Sequence, residues 1–179
     1  MIVSSRGTVF FTDQGMTGLH DPTGRVFRLN LDGSWNILLN NCPSPNGLVL
    51  DQSESGLFVA MTRDNSVWYV PFYPDGRPQR TGRFSSYYGT GGPDGMASDE
   101  EGNIFVAHSS LGVVFVHRSN GEPFARIEST VGRGTTNLTW GGSQGKTLYI
   151  TESQSGSVLI VEWHCQGILS GQLASQFTQ

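Results

Sequence analysis

The feature that most constrains this chain is a hairpin that occurs four times along it. Met1-Ile2-Val3 leads into Gly7-Thr8-Val9-Phe10-Phe11-Thr12, and Leu48-Val49-Leu50 into Gly56-Leu57-Phe58-Val59-Ala60. Met96-Ala97-Ser98 leads into Gly102-Asn103-Ile104-Phe105-Val106-Ala107, and Leu138-Thr139-Trp140 into Lys146-Thr147-Leu148-Tyr149-Ile150-Thr151. The four starts lie 47, 48 and 42 positions apart. A four-stranded propeller blade consumes roughly 40 to 50 residues, so one repeat corresponds to one blade.

A third apolar run follows each hairpin: Arg25-Val26-Phe27-Arg28-Leu29, Ser66-Val67-Trp68-Tyr69-Val70, Gly112-Val113-Val114-Phe115-Val116 and Ser157-Val158-Leu159-Ile160-Val161. These runs are rich in β-branched and aromatic residues, which suit strand interiors. Leu31-Asp32-Gly33, Pro74-Asp75-Gly76 and Ser119-Asn120-Gly121 then supply turn residues that tolerate positive φ. Fourth strands are expected near Trp35 to Leu39, Arg80 to Phe84 and Phe124 to Ile127, while the outer strand of the last repeat has the weakest pattern. The expected fold is all-β, a propeller or partial propeller over 1–165, with blades at about 1–42, 43–90, 91–131 and 132–165. The segment 166–179 reads as a polar tail.

Composition agrees with short strands and tight turns: 24 glycines stand among 179 residues, of which 36% are hydrophobic. A formal charge of −4 with no basic run argues against nucleic acid as a partner. No stretch approaches the roughly 20 apolar residues of a bilayer span, and the N-terminus lacks the order of a secretory signal. A cytoplasmic protein without a membrane partner is therefore expected. Cys42 and Cys165 are too few for a disulfide scaffold and are expected to be unpaired core thiols. The sequon Asn137-Leu138-Thr139 reads as a chance match.

Two tetrapeptides carry chemistry. Pro45-Asn46-Gly47-Leu48 and Pro93-Asp94-Gly95-Met96 each set one oxygen-bearing side chain between a proline and a glycine, just before an innermost strand. Innermost strands line a propeller's central channel, so such residues from different blades meet at the channel mouth. An amide oxygen and a carboxylate are hard ligands, suited to Ca²⁺ or Mg²⁺ and acceptable to Zn²⁺ or Mn²⁺. Asn and Asp also cap turns through local backbone hydrogen bonds, and spacing alone leaves both readings open.

These residues, with Gly7-Thr8-Val9-Phe10-Phe11-Thr12-Asp13, the run Met96 to Asn103 and Thr136-Asn137-Leu138-Thr139-Trp140-Gly141-Gly142, make the chain similar to the gluconolactonase family that includes regucalcin. The resemblance covers nearly the whole chain and implies a six-bladed propeller architecture. It implies hydrolysis of a lactone, a sugar lactone or similar cyclic ester, with one divalent metal ion at the channel mouth. Calcium comes first among the candidates, followed by zinc, manganese and magnesium. The family's metal ligands are a glutamate from the N-terminal blade, an asparagine matching Asn46 and an aspartate matching Asp94, which would also position or deprotonate water. A further family asparagine would fall two positions before Met1. The glutamate has no counterpart here either, so the expectation is a form lacking the N-terminal blades, weakly active or inactive alone.

The same resemblance puts His20, in the loop Gly15 to Pro22, at the substrate pocket, with the nearby Asp13 either touching substrate or fixing the strand turn. His20, His108, His117 and His164 show no metal-ligand spacing to one another. No G-x-S-x-G elbow accompanies Ser85-Ser86 or Ser109-Ser110, which argues against serine hydrolase chemistry. Trp35, Trp68, Tyr69, Trp140 and Tyr149 are expected to pack between blades. The alternative function is a non-catalytic propeller segment that binds a partner through its channel face or an open strand edge. Such edges also allow a homo-oligomer. A closed four-bladed ring satisfies the repeat count, but not the wedge angle of a six-bladed family.

Overall fold

The computed structural model describes residues 1–169 and shows four antiparallel sheets in series. The first is β1 (Ile2–Val3), β2 (Val9–Asp13), β3 (Gly24–Leu29) and β4 (Trp35–Cys42). The second is β5 (Pro45–Leu50), β6 (Gly56–Met61), β7 (Ser66–Pro71) and β8 (Gly82–Ser86). The third is β9 (Pro93–Asp99), β10 (Ile104–His108), β11 (Val113–His117) and β12 (Pro123–Glu128), and the fourth is β13 (Thr135–Gly141), β14 (Thr147–Glu152) and β15 (Ser157–Glu162). Each is a meander in sequence order, the arrangement of a propeller blade. A short β16 (Gly167–Ile168), within the segment read as a tail, pairs with β9 through Gly167–Asp99 and Ile168–Ser98 instead of completing the fourth blade.

The outer turns close by one device used three times. Asp32, Asp75 and Asn120 each accept, through Oδ1, the backbone N–H two residues on, at 2.9, 3.0 and 3.0 Å. The glycine after each has a φ of 80 to 90°. A side chain with a short polar arm followed by a residue free to adopt positive φ is what a tight turn demands.

Burial follows from the stacking of sheets. On β6, Leu57, Val59 and Met61 face the first blade with Phe10, Val26 and Leu48, while Phe58 and Ala60 face the third with Met96, Ile104 and Val106. On β10, Phe105 and Ala107 turn the other way, toward Leu138, Trp140, Leu148 and Ile150 of the fourth blade. Every residue of β6 and of β10 is therefore buried. A strand covered on both faces reads as a continuous apolar run, and one covered on a single face alternates. β15 alternates, with Val158 and Ile160 exposed. The outward face of the first blade is similarly open: Phe11 stacks on Phe27 at 4.9 Å, and Trp35 is 61% exposed, not packed between blades as its residue type suggested. Trp140 is buried as expected, edge-on to Phe105 at 5.1 Å. Cys42 and Cys165 are both buried and unpaired.

One carboxylate holds the mouth side of the fourth blade together. Glu152 ends β14 and accepts the N–H groups of Gly134 at 2.7 Å, Ser155 at 2.7 Å and Gln154 at 3.1 Å, together with the Ser155 hydroxyl. The Ser155 hydroxyl is the strongest influence on its acidity, and with the backbone N–H groups it outweighs desolvation and pulls the pKa down to about 2. Glycine is required beside it, because a Cβ on Gly132 or Gly134 would press on its carboxylate.

Two outcomes are expected. Leu57→Ala, between two blades, should cost about 2–5 kcal/mol in denaturant unfolding, whereas Ile160→Thr on the open face should cost roughly 0.5 kcal/mol or less. Equal costs would contradict the assignment of covered and open faces. Because the folded pKa of Glu152 is depressed, its contribution is present above the ordinary glutamate value. It is lost as pH falls from about 4.5 toward about 2. Thermal melts of Glu152→Gln should lose less stability over that window than the parent, and an unchanged pH slope would refute the role.

Candidate functional site at the channel mouth

Each innermost strand of the last three blades enters with an irregularity. On β5, Pro45 pairs with Met61 and Leu48 with Val59, so Asn46 and Gly47 together oppose Ala60. On β9, Pro93 pairs with His108 and Met96 with Val106, so Asp94 and Gly95 oppose Ala107. On β13 the extra residue is Thr136, between pairs Thr135–Glu152 and Asn137–Thr151. A bulge of one extra residue bends its strand and re-aims a side chain, here always at the same end of the blade.

The proline and glycine of the tetrapeptides have local reasons. Proline carries no N–H to leave unpaired where the ladder breaks. The glycines allow close approach between blades: a Cβ on Gly47 would collide with the Asp94 carbonyl oxygen, and one on Gly95 with the Asn137 side chain. Hydroxyls pin the same backbone, with Thr12 donating to Asn46 O at 2.9 Å and Thr62 to Pro93 O at 2.8 Å. Mouth residues of the second, third and fourth blades are thus threaded into one row.

Within that row Asn46 and Asp94 meet. Both are partly buried, and the Asn46 side chain is a hydrogen-bonding neighbour of the Asp94 carboxyl. Burial pushes the Asp94 pKa up to about 6, and Asn46 offsets only part of this. Among the described residues no Lys, Arg or His forms an ion pair with Asp94. A desolvated carboxylate without a cationic partner costs stability as an anion, and adjoins a neutral oxygen donor. That combination fits a hard divalent cation.

Of the two substrate candidates, Asp13 follows Thr12, whose hydroxyl bonds the Asn46 carbonyl, and His20 lies on the next loop. Asp13 accepts the Gly15 N–H at 3.0 Å and pairs with Arg25 at 3.2 Å, so its oxygens close the turn after β2. His20 is exposed on the loop that follows, whose Gly18 runs beside Arg63 of the 3-10 turn Thr62–Asp64. The loop is closed by Thr17, which bonds the Asp21 carbonyl and, at 2.8 Å, the Thr23 hydroxyl. No hydrogen bond joins His20 or Asp13 to Asn46 or Asp94 among the described residues. A cavity of about 360 Å³ lies further along the channel, between Val49, Met96, Leu138, Trp140 and Ile168. Its lining reaches Asp51 and Glu54 at the far end and leaves out the mouth residues.

Sequence reasoning missed Asn137. Its Oδ1 accepts the Leu138 N–H at 2.9 Å, and its backbone exchanges bonds with the Thr151 hydroxyl at 2.9 and 3.2 Å. It occupies the place that glycine holds in the other two blades, one position after the residue aligned with Asn46 and Asp94. That offset was the available signal.

Residues 1–154 match the family described as SMP-30/Gluconolactonase/LRE-like region. A gluconolactonase of Zymomonas mobilis subsp. mobilis is 31% identical over 172 residues, covering 87% of this chain and 48% of the relative. The lactonase drp35 of Staphylococcus aureus is 31% identical over 132 residues, or 71% of this chain and 40% of that protein. The chain thus spans about half the length, or less, of these curated relatives. In fold, the calcium-binding protein regucalcin of Agrobacterium tumefaciens superposes with a TM-score of 0.80 over 94% of this chain and 61% of that one, at 21% identity. The repeat of four blades, the row of mouth residues and these matches together make this chain a member of the SMP-30/gluconolactonase family of β-propellers.

Proposed function

We propose that Asn46 and Asp94 supply two oxygen ligands for one divalent cation at the mouth of a lactone-hydrolysing propeller. The observation that carries the reading is their convergence: two side chains 48 positions apart meet where burial leaves the Asp94 carboxyl without an ionic partner. Relatives named gluconolactonase and lactonase support the reaction class. Calcium is favoured by the hard donor set, and zinc, manganese and magnesium remain substitutes to test.

A cation in this place supplies Lewis acidity toward a carbonyl oxygen and lowers the pKa of nearby water. Asn46, being neutral, binds through its amide oxygen without cancelling positive charge. Asp94, whose carboxylate a bound cation would keep ionised, is suited to orient the attacking water and take its proton. The close approach at Gly47 and Gly95 fixes the backbone that carries both residues, so the electrostatic arrangement needs little reorganisation. Asp13 fixes the base of the loop that carries His20, and His20 is the exposed group on that loop able to bond substrate hydroxyls.

Three measurements test the proposal. Chelation should abolish hydrolysis of a sugar lactone and Ca²⁺, Zn²⁺, Mn²⁺ or Mg²⁺ should restore it, while hydrolysis indifferent to chelator would sink the metal. Asp94→Asn should lower kcat/KM by about 100-fold or more. In metal-free protein the same change should stabilise. The folded pKa of Asp94 is raised, so its penalty grows as pH rises from 3.8 through about 6 and is full above that. A gain on the order of 2 kcal/mol is expected at about pH 8, vanishing at about pH 4. Destabilisation at about pH 8 would mean that Asp94 is a structural residue.

A further inference from the structure

A second cluster stands at the opposite end of β9 from the mouth. Asp94 and Asp99 are five residues apart on that strand, about 16 Å at the usual strand rise. Beyond Asp99, Glu101 lies in the turn to β10, and His164 and Cys165 follow β15. One ligand atom from each of Glu101, His164 and Cys165 lies within 4.8 Å of the others, and His164 Nε2 is 3.3 Å from a Glu101 carboxylate oxygen. Glu101 and His164 are about half exposed, whereas Cys165 is buried beneath them.

The segment bearing the histidine and cysteine is clamped to the turn bearing the glutamate. Glu100 N–H donates to Gln166 O at 2.9 Å, and Gln166 N–H donates to a Glu100 carboxylate oxygen at 3.2 Å. Asp99 is fully buried, accepts the Trp163 indole N–H at 3.1 Å, and adjoins the Cys165 thiol. The β16 pairing extends the same seam. The three donors therefore converge on a scaffold held from both sides.

We propose that Glu101, His164 and Cys165 form a surface binding site for a zinc-class divalent ion, separate from the channel mouth. An imidazole nitrogen, a thiolate and a carboxylate are a donor set that Zn²⁺ accepts, with a fourth position left to water. Bond lengths of about 2.0–2.3 Å put tetrahedral ligands roughly 3.3–3.8 Å apart, so the cluster needs to contract by about 1.5 Å at most. One thiolate and one carboxylate neutralise a doubly charged ion. Binding breaks the Cys165 S–H bond, releases that proton to solvent and forms the sulfur–metal bond. Burial, then the neighbouring Asp99, Glu101 and Glu100, push the thiol up to about 12, which keeps it protonated and unreactive without a cation. The same negative surroundings favour a cation arriving. An opposing charge, the Lys146 ammonium, donates to the His164 carbonyl at 3.1 Å.

Cobalt reports on such a site, because a Co²⁺–thiolate bond absorbs in the near ultraviolet and an all-oxygen site does not. Metal-free full chain titrated with Co²⁺ near neutral pH should develop this band to one equivalent, and Zn²⁺ should bleach it. Cys165→Ser should remove the band. His164→Ala and Glu101→Gln, both at exposed side chains, should weaken Co²⁺ binding about tenfold or more with unchanged far-ultraviolet circular dichroism. Cys42→Ser and Asp94→Asn should leave the band intact. A folded chain without the band, a band that survives Cys165→Ser, or one that Cys42→Ser removes would overturn the site.

Discussion

Close approach between neighbouring sheets is the constraint on which the rest of the molecule depends. β6 and β10 are covered on both faces and carry no polar side chain into either interface apart from His108 at the end of β10. That burial is the dominant favourable term available to an arc of thin sheets, and it operates only if backbones can meet at the inner ends. Gly47 and Gly95 permit this, and the residues before them are thereby carried to the channel mouth. Packing and site placement are consequences of the same contacts.

Two carboxylates show how differently that framework treats charge. Glu152 is enclosed by N–H and O–H donors, and its pKa falls to about 2. Asp94 has one amide neighbour and no cation, and its pKa rises to about 6. The first arrangement contributes to folding and suits a structural residue. The second detracts from folding of the metal-free chain, a cost that a binding site bears when its residues are arranged for a ligand and not for each other.

The sequence displayed the architecture because blades repeat, and repetition makes a weak strand pattern strong. It displayed Asn46 and Asp94 for the same reason, since one tetrapeptide recurs at the blade period. Periodicity was silent where the blades differ. Asn137 departs from the motif by one position, although its bulge falls at the same register as those of the second and third blades. Trp35 lies on an outermost strand whose outward face is open, so an aromatic residue alone did not indicate burial. Gly167 and Ile168 looked like tail because β16 joins the third blade, a pairing across 68 and 70 positions that no local pattern encodes. The cluster of Glu101, His164 and Cys165 was invisible to ligand spacing because its glutamate is 63 positions from its histidine.

The distance between the mouth and this cluster also decides how they interact. About 16 Å of strand exceeds the Debye length of roughly 8–10 Å at moderate ionic strength, so surface charges at one end are largely screened from the other. Direct electrostatic competition between two bound ions is therefore weak. Mechanical linkage is more direct: β9 carries Asp94 at one end and Asp99 at the other, and the clamp at Asp99 holds the chain after β15 against the third blade. An ion bridging Glu101 to His164 and Cys165 would tighten that clamp by joining the third blade to the segment leaving the fourth. Its effect would be read in the stability of the seam between these blades, with the acidity of Asp94 left nearly unchanged.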